Sequence, residues 1–113
     1  MGPDAAVSGT RLLLLGYARV HLLMNAAELG WLKERLAAFA QAEGFALGTV
    51  FTEHAHTAPA GFHALIEAVK RYEARAIVVP SLRHLAVLGS PPTLERYVER
   101  CTGARVLVAD CGA

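Results

Sequence analysis

The sequence predicts an α/β domain of three layers, a mainly parallel four-stranded sheet with helices on both faces. Residues 12–20 and 76–79 are almost wholly apolar, as strands covered on both faces are. Helical periodicity fills the stretches between such runs. The connections are short, and a β-α-β-α-β-α-β order with short connections implies parallel strands joined by right-handed crossovers.

Residues 1–10 carry Gly, Pro, Asp and Ser without periodicity and read as a loose leader, followed by a single domain over residues 11–113. The first strand, 12–20, is expected at the centre of the sheet. From Asn25 to Glu43, Leu29, Leu32, Leu36, Phe39 and Ala40 recur at helical spacing, and Gly44 stands where a C-terminal cap belongs. Residues 45–51 follow as a short β-prone run. Phe62, Leu65, Ile66, Val69 and Tyr72 mark one face of a second helix; His63, Glu67, Lys70 and Arg71 mark the other. The strand 76–79 ends at Pro80. Ser90 is a candidate N-cap with Pro91 at the first helical position, and Leu94, Tyr97, Val98 and Cys101 give the buried stripe of a third helix. Gly103 ends that helix, and residues 105–109 form the last strand.

With 113 residues, of which 54% are hydrophobic and 19% charged, the chain fits one well-packed domain without staples. A formal net charge of +1 provides no sequence-wide basic field, so strong binding to DNA through counterion release is not expected. No secretory leader pattern opens the chain. The run 11–24 is interrupted by Tyr17, Arg19 and His21 and is too short to span a bilayer, so a cytoplasmic protein without membrane association is expected. Cys101 and Cys111 lack metal-type spacing and read as reduced thiols.

In open sheets of this kind, chemistry gathers beyond the carboxyl ends of the strands. Those ends are His21, the 53–56 loop, residues 81–84, and Asp110 with Cys111.

The segment Gly16-Tyr17-Ala18-Arg19-Val20 resembles the first-strand signature of the serine recombinase (resolvase/invertase) family, in which Tyr-x-Arg-Val precedes the nucleophilic serine. Ala42-Glu43-Gly44-Phe45, the helix from Gly61 to Val69, and Ile77-Val78-Val79-Pro80-Ser81-Leu82 leading into Leu85-Ala86 resemble family positions in family order. The resemblance spans nearly the whole chain. Together with right-handed crossovers it implies the strand order 2-1-3-4.

The departures are concentrated at the family's reacting centre. There, serine attacks a DNA phosphodiester while several arginines hold the phosphate, which needs an oxygen nucleophile and concentrated positive charge. Here His21 stands at the nucleophile position. Pro59 replaces the arginine ahead of the second helix; Arg83, His84 and Val87 replace the aspartate and two arginines after the third strand. Tyr17, Arg19 and Glu53 remain. Losing one preorganised donor can cost a factor of about 10²–10³ in rate, so this resemblance implies a domain without strand-cleaving activity.

Other readings compete at the same edge. His21, His54, His56 and His84, with Glu53, form a candidate metal set of imidazole and carboxylate ligands, against which stands the ordinary solvated loop histidine. His21 as nucleophile or general base is weighed against a polar residue tolerated in a vacated site. Arg19 is expected to need a buried counter-charge, Glu53 or Asp110. Trp31 falls opposite Leu29 and Leu36 on the first helix and reads either as a partner surface or as tucked inward around Gly30.

The expectation is therefore a non-catalytic interaction or regulatory module, with no cofactor and with a protein partner or a second copy of itself. A reused metal or enzyme site and a DNA-recombination accessory factor are the alternatives.

Overall fold

The computed structural model describes residues 12–20, 25–54, 59–86 and 88–109. Eight elements follow one another within them: β1 (Leu12–Val20), α1 (Ala26–Ala42), β2 (Phe45–His54), α2 (Ala60–Tyr72), β3 (Ala76–Val79), α3 (Arg83–Ala86), α4 (Pro91–Thr102) and β4 (Arg105–Val108). The strands form one sheet in the order β2-β1-β3-β4, every pairing parallel.

Alternation along the central strands divides the core in two. Leu15 and Tyr17 of β1, with Ile77 and Val79 of β3, pack under Phe62, Leu65, Ile66 and Val69 of α2, Leu85 of α3 and Val98 of α4. Leu14 and Ala18, with Ala76 and Val78, face Leu32, Leu36 and Ala40 of α1 on the opposite side. Successive strand side chains point to opposite faces, so both faces of the sheet must be covered. Burial of each such Leu, Ile or Val contributes about 1.5–3 kcal/mol.

α1 starts on a capping box. The Asn25 side chain accepts from the Glu28 N–H at 2.8 Å, and the Glu28 carboxylate accepts from the Asn25 N–H at 2.9 Å. Its outward face is not polar enough to match its inward one, since Ala26, Ala27, Trp31, Ala37 and Ala38 are all exposed. α2 and α4 are sharply amphipathic by comparison.

Several elements depart from the expected ones. β2 continues to His54 because β1 pairs with it as far as Val20, which draws Glu53 and His54 out of the expected loop and into the strand. β1 advances from Leu14 to Gly16 while β2 advances from Leu47 to Val50, leaving a bulge at Gly48 and Thr49 on this outer strand. A side chain at Gly48 would come within 2.9 Å of the end of the Leu15 side chain, which would have to shift to admit it. α3 is an unexpected single turn that turns Leu85 into the core.

Ser90 occupies the N-cap of α4, but its side chain makes no capping bond. Of the expected buried stripe on that helix only Val98 is fully buried; Tyr97 is 47% exposed and Cys101 lies at the surface, because the helix covers the outer end of a sheet whose last strands are four residues long. Tyr72, expected on the buried face of α2, is 60% exposed at the last turn of the helix.

That last turn closes with Glu73 in the left-handed region, φ 53° and ψ 45°, its N–H donating to the Val69 carbonyl. A side chain there costs about 1–2 kcal/mol, which glycine escapes at the expense of about 0.5–1 kcal/mol of unfolded-state entropy. Glu73→Gly is therefore expected to raise stability by about 0.5–1 kcal/mol, and a lowered urea midpoint would contradict this assignment of strain.

Candidate functional site

The strand order reverses between β1 and β3, since the chain leaves β1 for β2 on one side and returns to β3 on the other. Beyond the carboxyl ends of these two strands lies the crevice where such sheets bind ligands. The residues gathered there are Tyr17 and Arg19 of β1, Glu53 of β2, the start of α2, and Ser81 to His84 after β3.

Glu53 is fully buried at this edge. Its carboxylate accepts from the Tyr17 hydroxyl at 3.1 Å, the Gly61 N–H at 2.9 Å and the Phe62 N–H at 2.9 Å. Two of those donors belong to the first turn of α2, where N–H groups lack partners within the helix and the macrodipole favours negative charge. Pro59, the N-cap residue, makes no side-chain cap, so the carboxylate from the neighbouring strand does that work. The approach is close enough that a side chain at Gly61 would lie 2.8 Å from the Thr52 carbonyl oxygen and 3.1 Å from the Glu53 carboxyl carbon.

Tyr17 is equally buried and stands edge-on to Phe62, with ring centroids 5.7 Å apart and planes at 82°. Burial first, and then the charge of Glu53, pushes its phenol well above the ordinary range. The folded state thus keeps a proton that an unfolded tyrosine releases near pH 10. Above about pH 10 the unfolded state binds fewer protons, so this contribution to stability, complete below that pH, declines by up to about 1.4 kcal/mol per unit as pH rises. In Tyr17→Phe the decline between pH 10 and pH 11.5 should be shallower by that amount. Urea titrations of both proteins across this range measure it, and parallel slopes would show that the phenol does not hold its proton as described.

On the other side of the crevice, His84 Nδ1 accepts from the Arg19 backbone N–H at 2.9 Å. This bond ties α3 to the end of β1 and leaves the ring's proton on Nε2 in the neutral tautomer. Arg19 Nη1 and Ser81 Oγ are buried polar atoms without a hydrogen-bond partner among the described residues. Arg19 lies two residues after Tyr17 on the same face of β1, and Ser81 stands two residues past the end of β3. A buried guanidinium nitrogen and a buried hydroxyl, both able to donate, suit an anion.

Comparison with protein-family models, with curated proteins and with solved structures found no match to this chain.

Of the sequence-derived site residues, Tyr17, Arg19, Glu53 and His84 come together at this edge; His21, His56, Val87 and Asp110 lie outside the described residues. Pro59, Arg83 and His54 are exposed. Glu53, expected beside Arg19 as its counter-charge, directs its carboxylate to Tyr17 and the start of α2. Among the described residues no three of His, Cys, Asp and Glu gather closely enough to hold a metal ion, and the Nδ1 of His84 is already engaged. Ser81 and Gly61 were not singled out as site residues; their signals were a serine just past an apolar strand and a glycine in a first helical turn.

Trp31 adopts the exposed alternative. Half of its surface faces solvent, and the Arg35 guanidinium lies 5.0 Å above its ring. No described helix is long and apolar enough to cross a membrane.

Proposed function

We propose that this chain is a serine-recombinase-like domain that has given up strand cleavage and works as an interaction module. The observation that carries this reading is the replacement, at the family's reacting positions, of the nucleophilic serine by His21 and of three arginines by Pro59, His84 and Val87. The resemblance sets a phosphate-binding arginine immediately ahead of α2, where Pro59 now stands. The two N–H groups that could meet a phosphate there are committed to a buried carboxylate. A phosphate brought to this turn would meet the like charge of the Glu53 carboxylate.

Trp31 is the residue assigned to the partner, because a large aromatic ring left half-exposed on a helix is a common anchor of protein interfaces. The test has two arms. Incubation with supercoiled DNA followed by denaturing electrophoresis should show no covalent protein–DNA species; a species that His21→Ala abolishes would overturn the inactive reading. Capture on immobilised protein should then recover a partner, in host extract or as a second copy, that Trp31→Ala loses while remaining folded. Equal capture by both proteins would remove Trp31 from the interface.

A second reading is favoured by Arg19 Nη1 and Ser81 Oγ, whose lack of partners among the described residues suits a retained anion contact, as in an accessory factor that touches a DNA phosphate. Inorganic phosphate should then raise the melting temperature of the wild type and leave Arg19→Gln unmoved. An equal rise in both would assign the effect to general salt stabilisation.

A further inference from the structure

Among the described residues β2 is an edge strand, paired with β1 and with no other strand. It is ten residues long, against four for β4 at the opposite edge, and carries neither proline nor lysine to blunt its open side. An open edge presents N–H and C=O groups at strand spacing, and another extended backbone is what meets them in full. The bulge at Gly48 and Thr49 interrupts the ladder, so the regular part of this edge is the short stretch from Val50 onward.

Beside that stretch a groove of about 610 Å³ runs between β2 and α2. Its strand wall is formed by Thr49 and Phe51, two residues apart and therefore on one face of the sheet. Its helix wall is formed by Ala64, Ala68 and Arg71, whose spacings of four and three residues set them along one line of α2. The two alanines leave room for side chains from outside. Tyr72 belongs to the same groove at the last turn of α2, exposed although helical periodicity sets it on the buried face.

Charge selects among extended partners. Lys70 and Glu67 pair with each other at 4.0 Å, whereas Arg71 has no ion pair among the described residues. A guanidinium takes a carboxylate through two parallel hydrogen bonds, and every second side chain of an added strand faces the same way. An entering strand would therefore lay an apolar side chain over Phe51 and Ala68 and, two positions along, bring an aspartate or glutamate to Arg71. The β2 strand of a second copy does not meet this requirement. Its one acidic residue, Glu53, is fully buried and holds the start of α2.

We propose that the groove between β2 and α2 is a peptide-docking site, which takes a short extended segment of a partner protein by strand addition to β2 and selects an acidic residue two positions from an apolar one. The proposal rests on the interaction-module reading and gives it a surface separate from Trp31, whose helix packs on the other face of the sheet.

Selection of random decapeptides displayed on phage against the purified chain, followed by fluorescence polarisation of the recovered peptides, tests it. The recovered sequences should share an apolar residue and an acidic one two positions apart. Arg71→Glu, checked for folding by circular dichroism, should weaken their binding at least about tenfold, and exchanging the peptide's acid for lysine should recover most of that loss on the variant. Methylating one alternate set of the peptide's backbone nitrogens should weaken binding by a similar factor, and methylating the other set much less, because an added strand donates to β2 from one side only. Trp31→Ala should bind the peptides as wild type does. Peptides that bind Arg71→Glu and wild type equally, or that tolerate both methylations, would overturn the proposal, as would a selection that recovers none. Loss of binding in Trp31→Ala would move the site to α1 and overturn it as well. If the groove fails in any of these ways while a host protein is still captured by wild type and lost in Trp31→Ala, the interaction-module reading stands without this site.

Discussion

Glu53→Ala is expected to destabilise the domain by about 3–5 kcal/mol, a large share of the stability of a protein this size. The alanine withdraws one carboxylate from three donors at once, the Tyr17 hydroxyl and the N–H groups of Gly61 and Phe62. Each buried donor left unmet costs about 1–3 kcal/mol, and the start of α2 loses the negative charge that offsets its dipole. Glu53→Gln retains an oxygen acceptor but turns an amide N–H₂ toward existing donors, so an intermediate loss of about 1–3 kcal/mol is expected. Urea unfolding followed by circular dichroism measures both. An alanine variant within 1 kcal/mol of wild type would mean that water or another group serves the same donors, and the assignment of Glu53 as the anchor of this edge would fall.

The second large effect is expected at Gly61, where the same contact is tested from the other side. A methyl group there would stand 2.8 Å from the Thr52 carbonyl oxygen and 3.1 Å from both the Glu53 carboxyl carbon and its Oε1. The first of these is backbone in a paired strand and yields little, so Gly61→Ala should cost about 1–3 kcal/mol and Gly61→Val more. The two sites are in contact, so their effects should not add. Once Glu53 is alanine, part of the clash at position 61 is gone, and the double variant should lose less than the two singles together. Strict additivity would show that the strain at Gly61 comes from Thr52 alone.

The comparison of sequence and structure is sharpest at three places. β1 and β3 are legible to the residue, because a strand covered on both faces reads as a nearly continuous apolar run and Pro80 closes the second. The end of β2 is not. Glu53 and His54 read as loop residues, and only pairing with Arg19 and Val20 keeps them extended. Tyr72 and Tyr97 had the right periodicity for burial, yet each lies where its helix runs past the edge of a small sheet, so periodicity reported the inward face without reporting how far the sheet beneath it reaches.

What the sequence by itself determined is the α/β class, the four parallel strands and the three longer helices between them, since these follow from local periodicity, capping residues and the short connections that force right-handed crossovers. It also marked Tyr17, Arg19, Glu53 and His84 as residues near one edge. Only the tertiary structure decided how they pair. Glu53 is 36 positions from Tyr17 and eight from Gly61, and His84 is 65 positions from the Arg19 amide it receives. Hydrogen bonding depends on direction over about 3 Å, and neither strand register nor the tilt of a helix start is written in local spacing. The carboxylate therefore turned toward the start of α2, leaving Arg19 Nη1 and Ser81 Oγ as the polar atoms of the crevice without partners among the described residues.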